Sequence, residues 1–136
     1  MIDHVGISVA DLAVSKPFYE KALAPLGYKP VMEVTAEQTG GHPAVGFGAE
    51  FPDLWIGQDG APSVHTHVAL RVQTRAAVDA FHAAALAAGG RDNGVPGLRP
   101  HYHEHYYGAF VLDPDGHNLE AVCHAPGDQT DQTTTF

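Results

Sequence analysis

The strongest constraint on this chain is that it resembles itself. "HVGISV" over residues 4–9 returns as "HVALRV" over residues 67–72, a separation of 67 − 4 = 63. The register persists beyond that segment, with Phe18 falling on Phe81, Ala22 on Ala85, Leu23 on Leu86 and Gly27 on Gly90. A second match closes each copy: "DLWIG" over 53–57 lies on "NLEAV" over 118–122, a separation of 118 − 53 = 65. The two-residue difference is an insertion in the intervening loop. A repeat of this period means two supersecondary units of one kind. We place module one at residues 1–60 and module two at 64–125, together forming one domain over 1–125.

Each module opens with strict alternation. Val5, Ile7 and Val9 oppose His4, Gly6 and Ser8, and Val68, Leu70 and Val72 oppose His67, Ala69 and Arg71. That pattern is a half-buried strand with one polar face. Helical spacing of Val14, Phe18, Leu23 and Leu26 follows, with Gly27 placed for a left-handed cap. Pro17 belongs in a first turn, so the spacing predicts a helix from about Ser15. In module two Thr74 is expected to cap a helix whose apolar face is Val78, Phe81, Ala85 and Leu86. Short strands are predicted around 31–35, 44–48 and 54–56, and again around 107–112 and 119–124. The stretch from Gly89 to Gly108 reads as loop first and strand later. Each module is therefore strand, helix, then about three strands, an α+β class. The polar tail over 126–136 has no periodicity and is expected to be flexible.

Composition narrows the function classes. At 136 residues and 44% hydrophobic content the chain suffices for a real core. A formal charge of −9, with no Lys/Arg-rich run, argues against nucleic acid and anionic membranes as partners. There is no apolar stretch long enough to span a bilayer, and the first residues lack a basic leader. A cytoplasmic protein is expected. The single Cys123 permits no internal disulfide and reads as a buried, inert thiol.

Paired βαβββ modules, a His in the first strand of each, and a closing "DPDGHNLE" strand resemble the vicinal oxygen chelate superfamily. That group includes glyoxalase I, extradiol dioxygenases, fosfomycin-resistance transferases and bleomycin-resistance proteins. The resemblance covers roughly residues 2–124. It implies an open, curved mixed sheet around a cleft, a homodimer, and a divalent metal whose ligands project from first and last strands. Carried over by position, those ligands are His4, His67 and Glu120.

Elementary physics supports that assignment. Glu120 stands among Leu119, Ala121, Val122 and Cys123, and a carboxylate in an apolar strand costs several kcal/mol unless it is paired or metal-bound. Two imidazoles and one carboxylate make a three-ligand face suited to Fe, Mn, Zn, Ni or Co. Glyoxalase I has a fourth ligand on the last strand of module one, where this register puts Trp55, which cannot ligate. Gln58 and Asp59 lie beyond it, in the expected turn. Three ligands leave coordination positions for water, dioxygen or a bidentate substrate.

Three further residues are expected to act in the cleft. If 102–110 is one strand, His103, His105 and Tyr107 share a face and are candidate acids, bases or orienting donors. Ser8, Trp55 and Arg71 are expected to line the substrate. His42, His65, His82, His117 and His124 are read as surface or supporting residues, and Asp113 to Gly116 as a tight turn that positions Glu120. The reading is a metal-dependent lyase or dioxygenase for a small molecule that presents two oxygens to the cation. The competing class is a metal-free binder of the bleomycin-resistance kind, stacking its ligand on Trp55 and tyrosines.

Overall fold

The structure, a computed structural model, describes residues 1–62 and 66–127. His65 and most of the expected flexible tail, from residue 128 on, lie outside the described residues. Module one runs β1 (Val5–Ser8), α1 (Leu12–Leu23), a 3-10 turn (Ala24–Leu26), β2 (Lys29–Val34), a short α2 (Ala36–Thr39), β3 (Ala44–Gly48) and β4 (Leu54–Gly57). Module two runs β5 (His67–Val72), α3 (Arg75–Ala87), β6 (Arg91–Leu98), β7 (Tyr107–Leu112) and β8 (Asn118–Cys123). Each forms a four-stranded mixed sheet, ordered β1-β4-β3-β2 and β5-β8-β7-β6, with the opening strand parallel to the closing one. The fold is α+β, with two open sheets and no closed barrel, as the repeat implies.

Alternation decides which face each strand buries. Ile7, Val9, Val45, Phe47, Leu54 and Ile56 of module one share a core cluster with Ala109, Val111, Leu119, Ala121 and Cys123 of module two. Helix residues Phe18, Tyr19, Leu23, Val78 and Phe81 fill the same cluster. Gly90 lets the layers close, since a Cβ there would stand 2.6 Å from Val111 and 2.9 Å from Phe18. The opposite sheet faces carry the polar half of the pattern: His4, Gly6, Ser8 and Trp55 in module one, His67, Ala69, Arg71 and Glu120 in module two. No described helix is long and apolar enough to cross a membrane.

Several expectations are corrected. Helix α1 starts at Leu12, three residues before Ser15, because Asp11 caps it by accepting from Ala13 N at 3.0 Å. Pro17 consequently lies inside the helix. Val14 points outward, 54% exposed, and Tyr19 takes the buried place. Gly27 does cap in the left-handed region (φ 80°), but it ends the 3-10 turn. Thr74 caps α3 as expected, accepting from Ala77 N. The order of loop and strand after Gly89 is reversed: 91–98 is the strand, and 99–106 is the turn. Gly94, Pro96 and Gly97 are tolerated because β6 is an edge strand with register shifts at Asp92/Gly94 and Gly94/Gly97.

Asp113 organises the turn before β8 and ties the modules together. Its Oδ1 accepts from the backbone N–H of Asp115 and His117, while Oδ2 accepts from the Tyr19 hydroxyl at 2.7 Å. Asp115 accepts from Ala10 N, and His117 Nε2 donates to the Ser8 carbonyl at 2.7 Å. His117, expected as a surface or supporting residue, is thus a buried inter-module pin.

Candidate functional site

Glu120 is the pivot of the site. In β8 it pairs with Ala69 of β5 and Phe110 of β7, so its side chain rises from the open face of the module-two sheet. It is 1% exposed, and none of its hydrogen-bond partners is a Lys or Arg. His67, opening β5 with a half-exposed ring, donates from Nε2 to Glu120 Oε2 at 2.9 Å. The Tyr106 hydroxyl donates to the other oxygen, Oε1. Burial, and then the bond to Glu120, raise the Tyr106 hydroxyl pKa above its ordinary value, keeping it a donor. These three residues, with Tyr102 and Phe110, line a pocket of about 310 Å³.

The donor set suits a cation. Two ligand atoms each ~2.1 Å from a shared ion and at right angles are ~3.0 Å apart, and Nε2 and Oε2 stand 2.9 Å apart. A metal between them would displace the shared proton. A buried acid with no cationic side chain then has its charge compensated.

The third expected ligand is elsewhere in the chain. His4 precedes β1, and its Nδ1 pairs with Asp3 at 2.7 Å. It lines a depression of about 730 Å³ together with Trp55, Phe51, Glu50 and Asp53. Among the described residues the one set of three such ligand atoms within 4.8 Å of one another is Asp113, Asp115 and His117. Those atoms carry the turn and inter-module hydrogen bonds described above, so the cluster is already stabilised without an ion.

Trp55 rises on the His4 side of the module-one sheet, between Gly6 and Gly46 in register. The repeat register therefore holds for this strand. Ser8 shares a smaller depression with Trp55 and Gly6, and Arg71 is exposed on the open face of β5. Asp53 accepts from the Tyr28 hydroxyl through Oδ2, while its buried Oδ1 has no hydrogen-bond partner among the described residues.

Tyr107, expected to share a face with His103 and His105, faces the helix layer, where its hydroxyl donates to Asp79 and Arg75 stacks on its ring. Because 99–106 is a turn, Tyr106 reaches Glu120 instead. His103 and His105 lie in that turn; His103 makes edge contact with His124, whose ring also meets Tyr106. Spacing could not have identified Tyr106. The cue was Gly108, the small residue beside it in a tyrosine-rich segment.

Comparisons with known proteins identify the family and the fold. The model of the Glyoxalase/Bleomycin resistance protein/Dioxygenase superfamily matches residues 1–121. The chain belongs to that superfamily. A solved glyoxalase/bleomycin resistance protein from Albidiferax ferrireducens is 29% identical with a TM-score of 0.69, over 91% of this chain and 98% of that one. A glyoxalase I variant from Zea mays gives 24% and 0.69, over 89% of this chain but only 46% of the maize chain. A domain from a Frankia species described as glyoxylase/bleomycin resistance protein/dioxygenase gives 15% and 0.68, over 90% of this chain and 96% of that one. At the identities of the last two, the likeness is one of fold. No curated protein matches.

Proposed function

We propose that this superfamily member is a metal-dependent enzyme in which His67 and Glu120 of one chain, with His4 from a second copy, hold a divalent transition metal. The observation that carries the reading is the buried Glu120 carboxylate with His67 Nε2 2.9 Å from Oε2, a separation that suits two ligands of one ion. The need for a second copy follows from His4 lying apart from that pair within the chain, on an open face beside Trp55. A two-fold dimer would set the module-one face of each chain against the module-two face of its partner, giving two equivalent clefts.

A divalent metal bound by these residues would supply Lewis acidity toward a substrate oxygen. The chain's own residues do the rest. Trp55, with no ligating atom, provides an apolar wall, and Tyr102 and Phe110 wall the opposite side. His103 and His105 stand on the turn that carries Tyr106 and are the proposed proton-transfer groups, while Ser8 and Arg71 extend the polar faces. The substrate is a small molecule presenting two oxygens, and the chemistry is of the lyase or dioxygenase kind, in a cytoplasmic homodimer.

A second reading has its own observation. Trp55 and Phe51 beside Asp3, Glu50 and Asp53 make an aromatic, acidic surface suited to sequestering a flat or cationic ligand without metal.

Co-expressing His4→Ala and His67→Ala chains separates these readings. Each variant alone should lack metal, whereas mixed dimers regain one intact site, giving about a quarter of the wild-type metal content by elemental analysis. Absence of any gain in the mixture rules out the shared site. Wild-type protein that never takes up metal favours the sequestering reading.

A further inference from the structure

We infer that Tyr106 is the positioning residue of this site: by holding Oε1 of Glu120 it leaves the carboxylate a single oxygen, Oε2, for the cation and keeps one coordination position open for substrate. The inference rests on the metal-site reading above. A glutamate can close on an ion with either one oxygen or both. On a six-coordinate ion held by two His and one carboxylate, the one-oxygen mode leaves three positions free and the two-oxygen mode leaves two. A substrate that presents two oxygens therefore gains a further position for water or a co-substrate only in the first mode.

The bonding pattern selects that mode. The Tyr106 hydroxyl donates to Oε1, and His67 Nε2 approaches Oε2 alone. Tyr106 is itself held at both ends of its turn, since Arg99 N donates to its carbonyl at 2.7 Å and its own N–H donates to the His103 carbonyl at 3.1 Å. The Arg99 guanidinium straps that turn to the sheet, donating to the carbonyls of Gly97, Gly108 and Val95 at 2.7 to 2.8 Å. The ring is wedged between Tyr102 and His124, at 5.1 and 5.3 Å. Gly108 clears the approach: a Cβ there would stand 3.1 Å from Tyr106 Cε1 and 3.2 Å from Glu120 Oε1.

The test uses the full chain loaded with Co(II), its visible absorption, and 4-nitrocatechol as a chelating probe with two oxygens. Tyr106→Phe should retain Co(II) and 4-nitrocatechol, change the absorption spectrum, and lose affinity for azide, added as a one-atom probe of the position left beside the catechol. Tyr28→Phe, which removes a hydroxyl bonded to Asp53 in module one and not to Glu120, should match wild type. Gly108→Ala should shift spectrum and azide affinity in the same direction as Tyr106→Phe, and it serves as the deciding variant if Tyr106→Phe fails to fold. A Tyr106→Phe or Gly108→Ala protein with wild-type spectrum and azide affinity overturns the inference and leaves the metal site standing. A wild-type protein that binds no Co(II) overturns the metal reading and this inference together.

Discussion

The two modules place different side chains at one backbone position, and their surroundings explain how. In β4 the residue is Trp55, flanked in register by Gly6 and Gly46. In β8 it is Glu120, flanked by Ala69 and Phe110. A bulky indole on a sheet face needs bare neighbours, and both of its neighbours are glycine. A carboxylate leaves room for Phe110 and needs hydrogen-bonding partners, which His67 and the Tyr106 turn provide. The repeat thus supplied one scaffold twice, while packing beside each position left one copy an indole on an open sheet face and the other a buried, hydrogen-bonded carboxylate.

The exchange of chemistry between the copies is the sharpest way to break this comparison, and it carries the largest expected effect. Glu120→Gln keeps size and removes charge, so metal affinity should fall by at least about 100-fold while metal-free thermal stability is unchanged or rises. The converse substitution, Trp55→Glu, should tighten metal binding, read by the same competition titration against a chelator. Equal metal affinity in wild type and Glu120→Gln would remove Glu120 from the site.

A smaller effect tests the claim that glycine makes room for the indole. At Gly46 an added Cβ would meet Pro52 Cβ at 2.6 Å and Trp55 Cε2 at 2.9 Å. Gly46→Ala should therefore destabilise the fold by about 2 kcal/mol, measured by urea unfolding. Pairing it with Trp55→Leu should recover part of that loss; an unchanged denaturation midpoint for the single variant contradicts the packing argument.

The smallest effect concerns the residues that open the closing strands. Tyr28 donates to Asp53 at 2.6 Å in module one, whereas Asn118, the counterpart of Asp53, accepts from Asn93 at 3.2 Å. Partial burial and the bond to Asp53 push the Tyr28 hydroxyl up to about 12 from an ordinary value of 10.0. A raised folded-state pKa means this contribution is complete below pH 10 and is lost as pH rises towards 12. Tyr28→Phe should flatten that part of the alkaline decline in stability, followed by thermal unfolding at stepped pH. An identical slope in the variant assigns the decline to other groups, such as the buried Tyr19.

What could be read from the chain followed from periodicity. The repeat and the alternation around His4 and His67 specified the modules, the buried strand faces and the side of the sheet on which Trp55 and Glu120 stand. The same offset also held the start of α1, since Asp11 lies 74 − 11 = 63 residues before the Thr74 cap. Pro17 masked it, because proline propensity is a local rule that a cap and tertiary packing override. Edge strand β6 was hidden by Gly94, Pro96 and Gly97, residues that end a central strand but are tolerated at an edge.

The chain by itself determined the α+β architecture, the two copies, and the acid in an apolar strand that makes the site chemically suggestive. These depend on spacing at periods of two and of 63, which one dimension records. Only the tertiary structure decided that Tyr106 and not Tyr107 meets Glu120, that His117 is buried against Ser8, and that His4 stands apart from His67 within one chain. Each depends on where a non-periodic turn or a second module lands in space. Long-range packing sets that, and the spacing of residues along the chain does not contain it.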